Sequence, residues 1–350
     1  MSEHKYTMLA NRLRADIQNG IYAAGSRMPS ENDLIGVYGY SRQTVRQALQ
    51  ILENEGLAQR VRGSGTYVKE NVTKRARSNT VGIITTYIRE YIFPAVLEGI
   101  EKEMSDHRYA SILAATNNRV DNERRILTDF LHRPVDGLII EGTKTALPNP
   151  NIDLYRKICE LNIPVVFING FYRELENPVY VVTDDRQGGY DACAFLLKKG
   201  RKRLGGIFKS DDMQGHARYA GMMAALTDKS TPVSDDRLLW FTTGNHEKLL
   251  EHTALDALRG CDGVVCYNDE IAVSLMRRLE KAGVRVPEDI AVISFDNSAY
   301  ADITGVPLTS LDHPKEKLGA LAAQKLIGLI NGVAEKPSVM PWGFVERQST

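Results

Sequence analysis

The sequence predicts an α/β protein in two parts: a small head of three helices and a β-hairpin, and a large body of two lobes with doubly wound parallel sheets. Two observations carry this prediction. Residues 1–69 place amphipathic helical segments between turn signals and end in two short strands around a glycine-rich turn. From residue 80 onward, short apolar runs alternate with helical stretches, as in parallel sheets covered on both faces. A length of 350 residues allows two or three domains.

The head begins with a helix predicted over about Lys5 to Asn19. Ser30 predicts the start of a second helix, with Asp33 as its capping-box partner. Ser41 is the expected N-cap of a third helix, which ends at Gly56. A strand, a tight turn and a second strand follow. Three helices followed by a β-hairpin form a winged helix-turn-helix.

The third helix collects guanidinium, amide and hydroxyl groups at its N-terminal end, in the stretch SRQTVRQ. In a helix-turn-helix, the N-terminal residues of the second helix of the motif face base edges in the major groove. Arginine can hold guanine and glutamine can hold adenine through two hydrogen bonds, while hydroxyl groups contact phosphates. A capped surface helix beside an ordinary hairpin is the alternative. The candidate DNA-binding residues from this reasoning are Ser41, Arg42, Gln43, Thr44, Arg46, Arg60, Arg62, Gly63 and Gly65.

The charge distribution favours a polyanionic partner for the head alone. The whole chain has 44 basic and 44 acidic residues, but residues 1–79 hold 12 Lys and Arg against 7 Asp and Glu. The head and linker are therefore at +5 and the remainder is at −5. A basic segment on an acidic body is consistent with binding double-stranded DNA through the head.

The body is predicted from apolar runs such as VGIIT, VDGLIIEG, IPVVFING, DGVVCYND and IAVISFDN. Their number exceeds one small sheet, so two similar lobes are expected. Polar side chains follow the carboxyl ends of these runs, where open α/β sheets bind ligands. The candidate residues there are Tyr87, Arg89, Tyr91, Phe93, Glu141, Asn169, Phe171, His216, Arg218, Asn268 and Asp296.

This set of carboxylates, amides, arginine and aromatic rings is typical of a sugar site. Planar polar groups hold neighbouring hydroxyls, and a ring packs on the apolar face of the sugar. An enzyme is the rival class, because His216 with Asp212 or Ser210 could form an acid–base or nucleophile pair. The sequence has no nucleophile elbow, no phosphate-binding glycine loop and no metal-ligand spacing, so we expect no cofactor and no metal.

Residues 5–68 resemble the GntR-type winged-helix family. The resemblance rests on the stretches GIYAAGSRMPSE, SRQTVRQAL, EGL and GSGTYV. It implies that Arg42, Gln43, Thr44 and Arg46 contact DNA, with Gly63 and Gly65 at the wing tip. It also places Glu31 beside the DNA backbone, followed by Asn32 where many members have a second basic or polar residue.

Residues 80 to about 345 resemble the effector domain of the LacI/GalR repressors, which is similar to periplasmic sugar-binding proteins. The most specific stretches are residues 262–298 and PLTSLDHPKEKLGALAAQKLIGLI. The resemblance implies a periplasmic-binding-protein-like body without catalytic activity. The family's sugar contacts fall on Phe93, Asn169, Arg218, Phe241, Asn268 and Asp296, with His313 near the hinge.

A GntR-type head on a LacI-type body resembles the arabinose-responsive repressors of Gram-positive bacteria. The resemblance implies a homodimeric repressor that binds operator DNA and is released by a small sugar, with L-arabinose favoured. Another sugar, a sugar phosphate or a purine remains the alternative effector, since Lys144, Arg89 and Lys209 could hold a phosphate. The expected domains are 1–69 and 80–350, joined by a linker at 70–79. Hinge crossings between the lobes are expected near 182, 298 and 312.

The remaining features predict a cytoplasmic location. None of the four cysteines forms a C-x-x-C pair, which favours buried, reduced thiols. The sequence shows neither a signal-peptide core at its N-terminus nor an apolar run long enough to span a bilayer, so no membrane association is expected.

Overall fold

The structure is a computed structural model that describes residues 5–18, 20–61, 63–69, 77–89, 91–302 and 305–350. Most of the predicted linker, residues 70–76, lies outside this part of the chain. The described residues form the mixed α/β architecture that the sequence predicts, with a three-helix head and a body containing two separate parallel sheets.

The head has three helices and an antiparallel hairpin: α1 Lys5–Gln18, α2 Glu31–Tyr38, α3 Arg42–Asn54, β1 Ala58–Val61 and β2 Gly65–Val68. The predicted capping box at α2 is confirmed, because Ser30 accepts from the Asp33 amide while Asp33 accepts from the Ser30 amide. Ser41 also caps α3, because its hydroxyl oxygen accepts from the Thr44 amide. The core of the head is built from one face of each helix and the inner side of the hairpin.

The body contains twelve strands among the described residues: β3 Thr80–Thr85, β4 Ala110–Ala115, β5 Gly137–Glu141, β6 Val165–Ile168, β7 Val179–Thr183, β8 Leu204–Lys209, β9 Leu238–Phe241, β10 Gly263–Cys266, β11 Ala291–Asp296, β12 Thr309–Asp312, β13 Ser338–Met340 and β14 Gly343–Val345. Lobe 1 is the sheet β13-β7-β6-β5-β3-β4, and lobe 2 is the sheet β14-β12-β11-β10-β8-β9. Every pairing in the body is parallel except that of β12 with β14.

Helices cover both faces of each sheet: α4 Phe93–Asp106, α5 Val120–Leu131, α6 Ile152–Glu160, α7 Asp185–Lys198, α8 Met213–Asp228, α9 His246–His252, α10 Ala254–Ala257, α11 Asp269–Lys281 and α12 Lys315–Ile330. This covering explains why the central strands β5, β8, β10 and β11 are buried along their whole length.

The chain passes between the lobes at three places. It leaves lobe 1 at Asp184 after β7, returns at His313 and Pro314 between β12 and α12, and passes back at Pro341 and Trp342 between β13 and β14. The crossing predicted near Ser298 is wrong. The reason is that β12 pairs with β11, so the chain stays in lobe 2 until residue 312.

Glycines bring one helix pair in each lobe into backbone contact. A Cβ on Gly99 of α4 would overlap the carbonyl oxygen of Glu316 on α12, and a Cβ on Gly189 of α7 would overlap that of Arg218 on α8. Such closely packed pairs resist deformation. Each lobe is thus built as a stiff unit, and the three crossings are the chain connections between the two units.

The described part of the chain contains no helix long and apolar enough to cross a membrane. All four cysteines are free. Cys193, Cys261 and Cys266 are buried as predicted, whereas Cys159 is exposed because it lies on the outer face of α6.

Candidate functional site

The N-terminal tip of α3 presents polar side chains to solvent. Arg42 and Gln43 are exposed, and Thr44 is half-buried. Arg42 Nη2 donates to Asn32 Oδ1 at 2.8 Å, so the side chain is steered across the tip of the helix-turn-helix. Ser41 and Thr44 share a hydrogen bond of 2.9 Å between their hydroxyl oxygens. The groups predicted to meet DNA therefore lie on one exposed surface.

Glu31, at the first position of α2, pairs with two arginines of that surface. Arg46 Nε donates to Glu31 Oε2 at 2.9 Å, and Arg60 on the hairpin donates to Glu31 Oε1. These pairs tie α3 and the wing to the start of α2. Because both arginines are about half exposed or more, they remain accessible to phosphates.

The wing tip depends on two glycines with positive φ, 79° at Gly63 and 129° at Gly65. A Cβ at Gly65 would lie 3.0 Å from Arg27 Nε, so the position tolerates little side chain. Arg62, also predicted for this tip, lies outside the described residues.

A cavity of about 230 Å³ lies between the lobes, at the carboxyl ends of both sheets. Nine of the thirteen residues predicted for the ligand site line it: Tyr87, Tyr91, Phe93, Glu141, Asn169, Arg218, Phe241, Asn268 and Asp296. Asn268 also caps α11, since its Oδ1 accepts from the Ile271 amide at 3.0 Å. The geometric rule for open α/β sheets thus locates the cleft and eight of these nine residues, while Phe241 was implied by the family resemblance.

Arg218 is the central charged group of the lobe 2 wall and is only 1 % exposed. Its Nε donates to Asp185 Oδ1 at 2.8 Å, and its Nη2 lies 3.8 Å from Asp296 Oδ1. Burial alone would lower the pKa of the guanidinium, but Asp185 and Asp296 outweigh it and raise that pKa. A buried, fully charged arginine held by two carboxylates offers a fixed donor to a ligand.

The lobe 1 wall is built around Glu141. Its Oε2 accepts from the Thr86 amide at 2.7 Å, and its Oε1 accepts from Asn169 Nδ2 at 2.9 Å. Burial raises the pKa of the Glu141 carboxyl, although these hydrogen bonds oppose the shift. Asn169 has φ of 59°, and its buried Oδ1 has no hydrogen-bond partner among the described residues. That oxygen is an acceptor at the cleft wall that lacks a donor.

Lys209 and Asp212 also line the cleft but are absent from the predicted ligand set. Burial alone would lower the pKa of the Lys209 ammonium, but Asp212 and Asp211 outweigh it and raise that pKa. Tyr267, Gln214, Thr243, His246 and Glu270 are further lining residues that the prediction omits. Lys209 ends β8, where the carboxyl-end rule applies, but the sequence pointed to it only as a possible phosphate ligand.

The two lobes touch directly beside the cavity. Tyr91 of lobe 1 donates to Asp296, and its oxygen accepts from the Asp269 amide at 3.1 Å. On the other side, Asn118 Nδ2 donates to Thr243 Oγ1 at 2.6 Å. Burial, followed by the Asp296 charge, raises the pKa of Tyr91 well above its usual range, so the phenol stays a donor.

Four residues of the predicted ligand set do not line the cleft. Arg89 is exposed, and Phe171 stacks on Tyr180 with ring centroids 4.0 Å apart. His216 packs on Trp240, and His313 is buried against Trp342. They follow strands or crossings in sequence, but Arg89 faces solvent and the other three side chains pack on neighbouring aromatic rings instead.

The rival enzyme arrangement is not assembled. His216 Nε2 contacts the backbone oxygen of Ser210 at 2.8 Å, while the Ser210 hydroxyl donates to the Phe241 carbonyl. The described residues contain no group of three or more His, Cys, Asp or Glu side chains suited to a metal.

Two family models match the chain: bacterial regulatory proteins of the gntR family over residues 5–68, and the periplasmic binding protein-like domain over residues 193–350. The chain is 36 % identical over 337 residues to the arabinose metabolism transcriptional repressor of Halalkalibacterium halodurans, covering 94 % of this chain and 90 % of that protein. It is 37 % identical to the repressor of the same name from Geobacillus stearothermophilus, covering 93 % and 91 %.

A solved structure, the transcription regulator CcpA of Lactococcus lactis, matches with a TM-score of 0.70 and 28 % identity. The match covers 78 % of this chain and all of that one. These relatives are transcriptional regulators and not enzymes, which decides between the two classes that the sequence left open. The chain belongs to the family of transcriptional repressors that join a GntR-type helix-turn-helix head to a periplasmic-binding-protein-like body.

Proposed function

We propose that this protein is a homodimeric repressor of sugar-utilisation genes, released from its operator by L-arabinose bound between the lobes. The main support for the proposal is the cleft between the lobes. There a buried Arg218–Asp296 pair of lobe 2 faces Glu141 and Asn169 of lobe 1, and the cavity between them has a volume of about 230 Å³. The names of the two bacterial relatives, each similar over more than nine-tenths of this chain, support arabinose as the sugar.

The size of the cleft favours a small effector. A cavity of about 230 Å³ lies below the roughly 300 Å³ at which pockets for drug-sized ligands begin. A monosaccharide of five or six carbons suits this volume better than a nucleoside does. The rings of Tyr87, Phe93 and Phe241 supply apolar surface for the C–H face of such a ligand.

The charges of the cleft favour a neutral effector over a sugar phosphate. The charged side chains that line it are Lys209, Arg218, Glu141, Asp212, Glu270 and Asp296. The two cations are already paired, Lys209 with Asp212 and Arg218 with Asp185 and Asp296. A phosphate would therefore meet an excess of carboxylates, whereas hydroxyl groups can both donate to carboxylates and accept from cations. Arg89 and Lys144, the other cations considered for a phosphate, are not among the lining residues.

In the bound state, Arg218 donates to ring or hydroxyl oxygens, while Asp296 and Glu141 accept from hydroxyl groups. Asn169 Oδ1, which has no partner in the described part of the chain, accepts from another. Because these groups belong to different lobes, one sugar satisfies both walls only when the lobes are closed on it. Binding therefore favours the closed arrangement, because the sugar makes more contacts with the closed lobes than with the open lobes.

At the operator, Arg42 and Gln43 contact base edges, and Ser41 and Thr44 contact phosphates. Arg46 and Arg60 exchange Glu31 for phosphate oxygens as the head docks, with Gly63 and Gly65 placing the wing close to the backbone. Each head of the dimer binds one half of a two-fold symmetric site, and the body supplies the dimer contacts. The domains are 1–69 and 80–350, and the linker 70–79 carries the effect of lobe closure to the heads.

The test uses an operator duplex selected from random sequence by the unliganded protein. Calorimetry with L-arabinose, D-xylose, D-ribose, D-galactose, ribose 5-phosphate and adenine identifies the effector, and sedimentation reports the dimer. We expect L-arabinose to bind most tightly and to lower operator affinity about a hundredfold at fixed salt, a coupling of about 2.8 kcal/mol. Tightest binding of the phosphate or of adenine would overturn the sugar assignment.

A further inference from the structure

All three crossings between the lobes converge on Arg218. Asp185 follows the first crossing directly and accepts from Arg218 Nε at 2.8 Å. Trp342 lies on the third crossing, with its ring centroid 5.0 Å from Arg218 Cζ. His313 lies on the second crossing and packs edge-to-face on Trp342, with ring centroids 5.3 Å apart. One cleft residue is thus in contact with the hinge through a single tryptophan and a single aspartate.

The Arg218 guanidinium is enclosed by three aromatic rings. Its Cζ lies 4.4 Å from the ring centroid of Phe295, 4.8 Å from that of Tyr267 and 5.0 Å from that of Trp342. Phe295 and Tyr267 belong to lobe 2 itself and move with Arg218. Trp342 also packs on the lobe 2 core, but it lies two residues after β13 of lobe 1, on the segment that joins the two sheets. Stacked aromatic rings fix the plane of a guanidinium, and a hydrogen-bonded carboxylate fixes its direction.

Trp342 is packed tightly against α7. A Cβ on Gly188 of α7 would lie 2.8 Å from Trp342 Cδ1, so the indole rests on the backbone of that helix. The indole Nε1 and both ring nitrogens of His313 are buried and have no hydrogen-bond partner among the described residues. Three buried polar atoms without partners make this packing energetically costly.

We propose that Trp342 is a positioning residue, which holds the plane of Arg218 for the sugar and transmits capture of the sugar to the hinge. This inference rests on the proposed function, because it assigns a route by which that effector acts. Trp342 is not among the residues that line the cleft, so it acts through Arg218 and not by touching the ligand. Movement of the third crossing relative to α8 shifts the indole against the guanidinium on which it stacks.

The chain offers a spectroscopic test, because it contains two tryptophans. In full-length Trp240→Phe, Trp342 is the sole tryptophan emitter, and Trp342→Phe leaves Trp240 as the matched control. Trp240 packs on Phe208, Tyr219 and His216, away from the hinge. We expect saturating L-arabinose to shift the emission of Trp342 by several nanometres and to leave that of Trp240 in place. An unchanged Trp342 spectrum, with binding intact by calorimetry, overturns the inference.

The second test measures the ratio of operator affinities without and with saturating L-arabinose. We expect Trp342→Leu to bind sugar about tenfold more weakly and to reduce the ratio from about a hundredfold to less than tenfold, while unliganded operator affinity stays unchanged. Trp342→Phe should keep most of the wild-type ratio, because a ring still stacks on the guanidinium. A wild-type ratio in Trp342→Leu overturns this inference alone. Failure of the unmodified protein to bind or respond to any sugar overturns the proposed function together with it. If Trp342→Leu does not fold, the fluorescence comparison of Trp240→Phe with Trp342→Phe carries the test.

Discussion

The tip of α3 and the cleft between the lobes differ in how their side chains are assembled. Most of the α3 surface comes from consecutive residues, Ser41 to Arg46, on one helix whose start is set by a local cap. The cleft draws on residues from Thr86 to Asp296, on both sheets, which meet only after the lobes have folded. A surface made of neighbours in sequence can change its DNA contacts one residue at a time, whereas each cleft residue also supports the packing around it.

The two regions also treat charge differently. The arginines of the head are exposed, so water and salt screen their pairs with Glu31. Arg218, Asp185 and Asp296 are buried, and each needs the others in order to stay charged. Substitutions in the cleft should therefore affect folding as well as ligand binding, while substitutions at the α3 tip should affect DNA binding alone.

The largest expected effect is that of Arg218→Met. Removing the guanidinium leaves Asp185 and Asp296 buried without their partner, so we expect the free energy of unfolding to fall by about 3 to 5 kcal/mol and sugar binding to be lost. Urea unfolding followed by tryptophan fluorescence reports the body, and calorimetry reports the sugar. Arg285→Met is the matched control, because its bidentate pair with Asp289 is exposed. An equal fall in the free energy of unfolding in both variants would show that the cost does not depend on burial of the ion pair.

The next effect is a difference in pH dependence between the two regions. Burial raises the pKa of Asp269, beside the cleft, to about 6, whereas hydrogen bonds from Ser30 lower the pKa of Asp33 in the head. A raised carboxyl pKa contributes stability that is present below about pH 4 and is lost as the pH rises through 6. The cost of Asp269→Asn should therefore shrink by on the order of 2 to 3 kcal/mol between pH 4 and pH 7.

For Asp33→Asn the sign reverses. The capping-box contribution is present above the unfolded pKa and is lost as the pH falls through the lowered folded value. Denaturation of each variant beside wild type covers both windows: pH 4, 5, 6 and 7 for Asp269→Asn, and pH 2, 3 and 4 for Asp33→Asn, whose contribution is lost only below the unfolded carboxyl pKa. Parallel trends in the two variants would contradict the contrast drawn between buried and exposed carboxylates.

A smaller effect is expected at the α3 tip. Gln43→Ala removes a side chain that can hold adenine through two hydrogen bonds, so operator affinity should fall by about 1 to 3 kcal/mol. Affinity for L-arabinose should remain that of wild type, because no cleft residue is touched. Gln50→Ala is the control on the same helix, where the side chain bonds only Asn54 in the described residues. Competition with random DNA separates lost specificity from lost affinity.

The smallest expected effect is that of Glu31→Gln. Neutralising this carboxylate frees Arg46 and Arg60 for phosphates, so affinity for random DNA should rise a few-fold and the salt dependence should steepen. Specific binding should gain less, because the arginines lose the partner that directs them. Titrations at several salt concentrations give the slope, and Glu53→Gln controls for the change in net charge on the head. An unchanged slope would show that Glu31 does not compete with DNA for these arginines.

Local signals predicted the head almost completely. Ser30 and Ser41 cap α2 and α3 as predicted. A cap can be predicted because it depends only on hydrogen bonds to a few neighbouring residues. In the body, long apolar runs located the central strands, but the short edge strands β9, β13 and β14 were not evident. Such strands are partly exposed and carry mixed residues, so they have no distinctive pattern.

The strand ends predicted which loops form the cleft, and eight of their eleven candidates line it, while Phe241 was implied by the family resemblance alone. Phe171 and His216 follow the same rule in sequence, yet one stacks on Tyr180 and the other on Trp240. Side-chain direction at these positions depends on which neighbouring surface is available, and that surface comes from distant segments. The misplaced crossing near Ser298 has the same origin, since the pairing of β12 with β11 is a long-range choice.

The amino-acid sequence by itself determined the helices and caps of the head, the buried strands of the body and the edge of the sheets where a ligand site could form. These follow from hydrogen bonding and hydrophobic periodicity over a few turns or one strand. Only the tertiary structure decided the partners of Arg218, the enclosure formed by Trp342 and the contact of Tyr91 across the lobes. Those depend on close packing between segments that are distant in the chain, which no local pattern encodes.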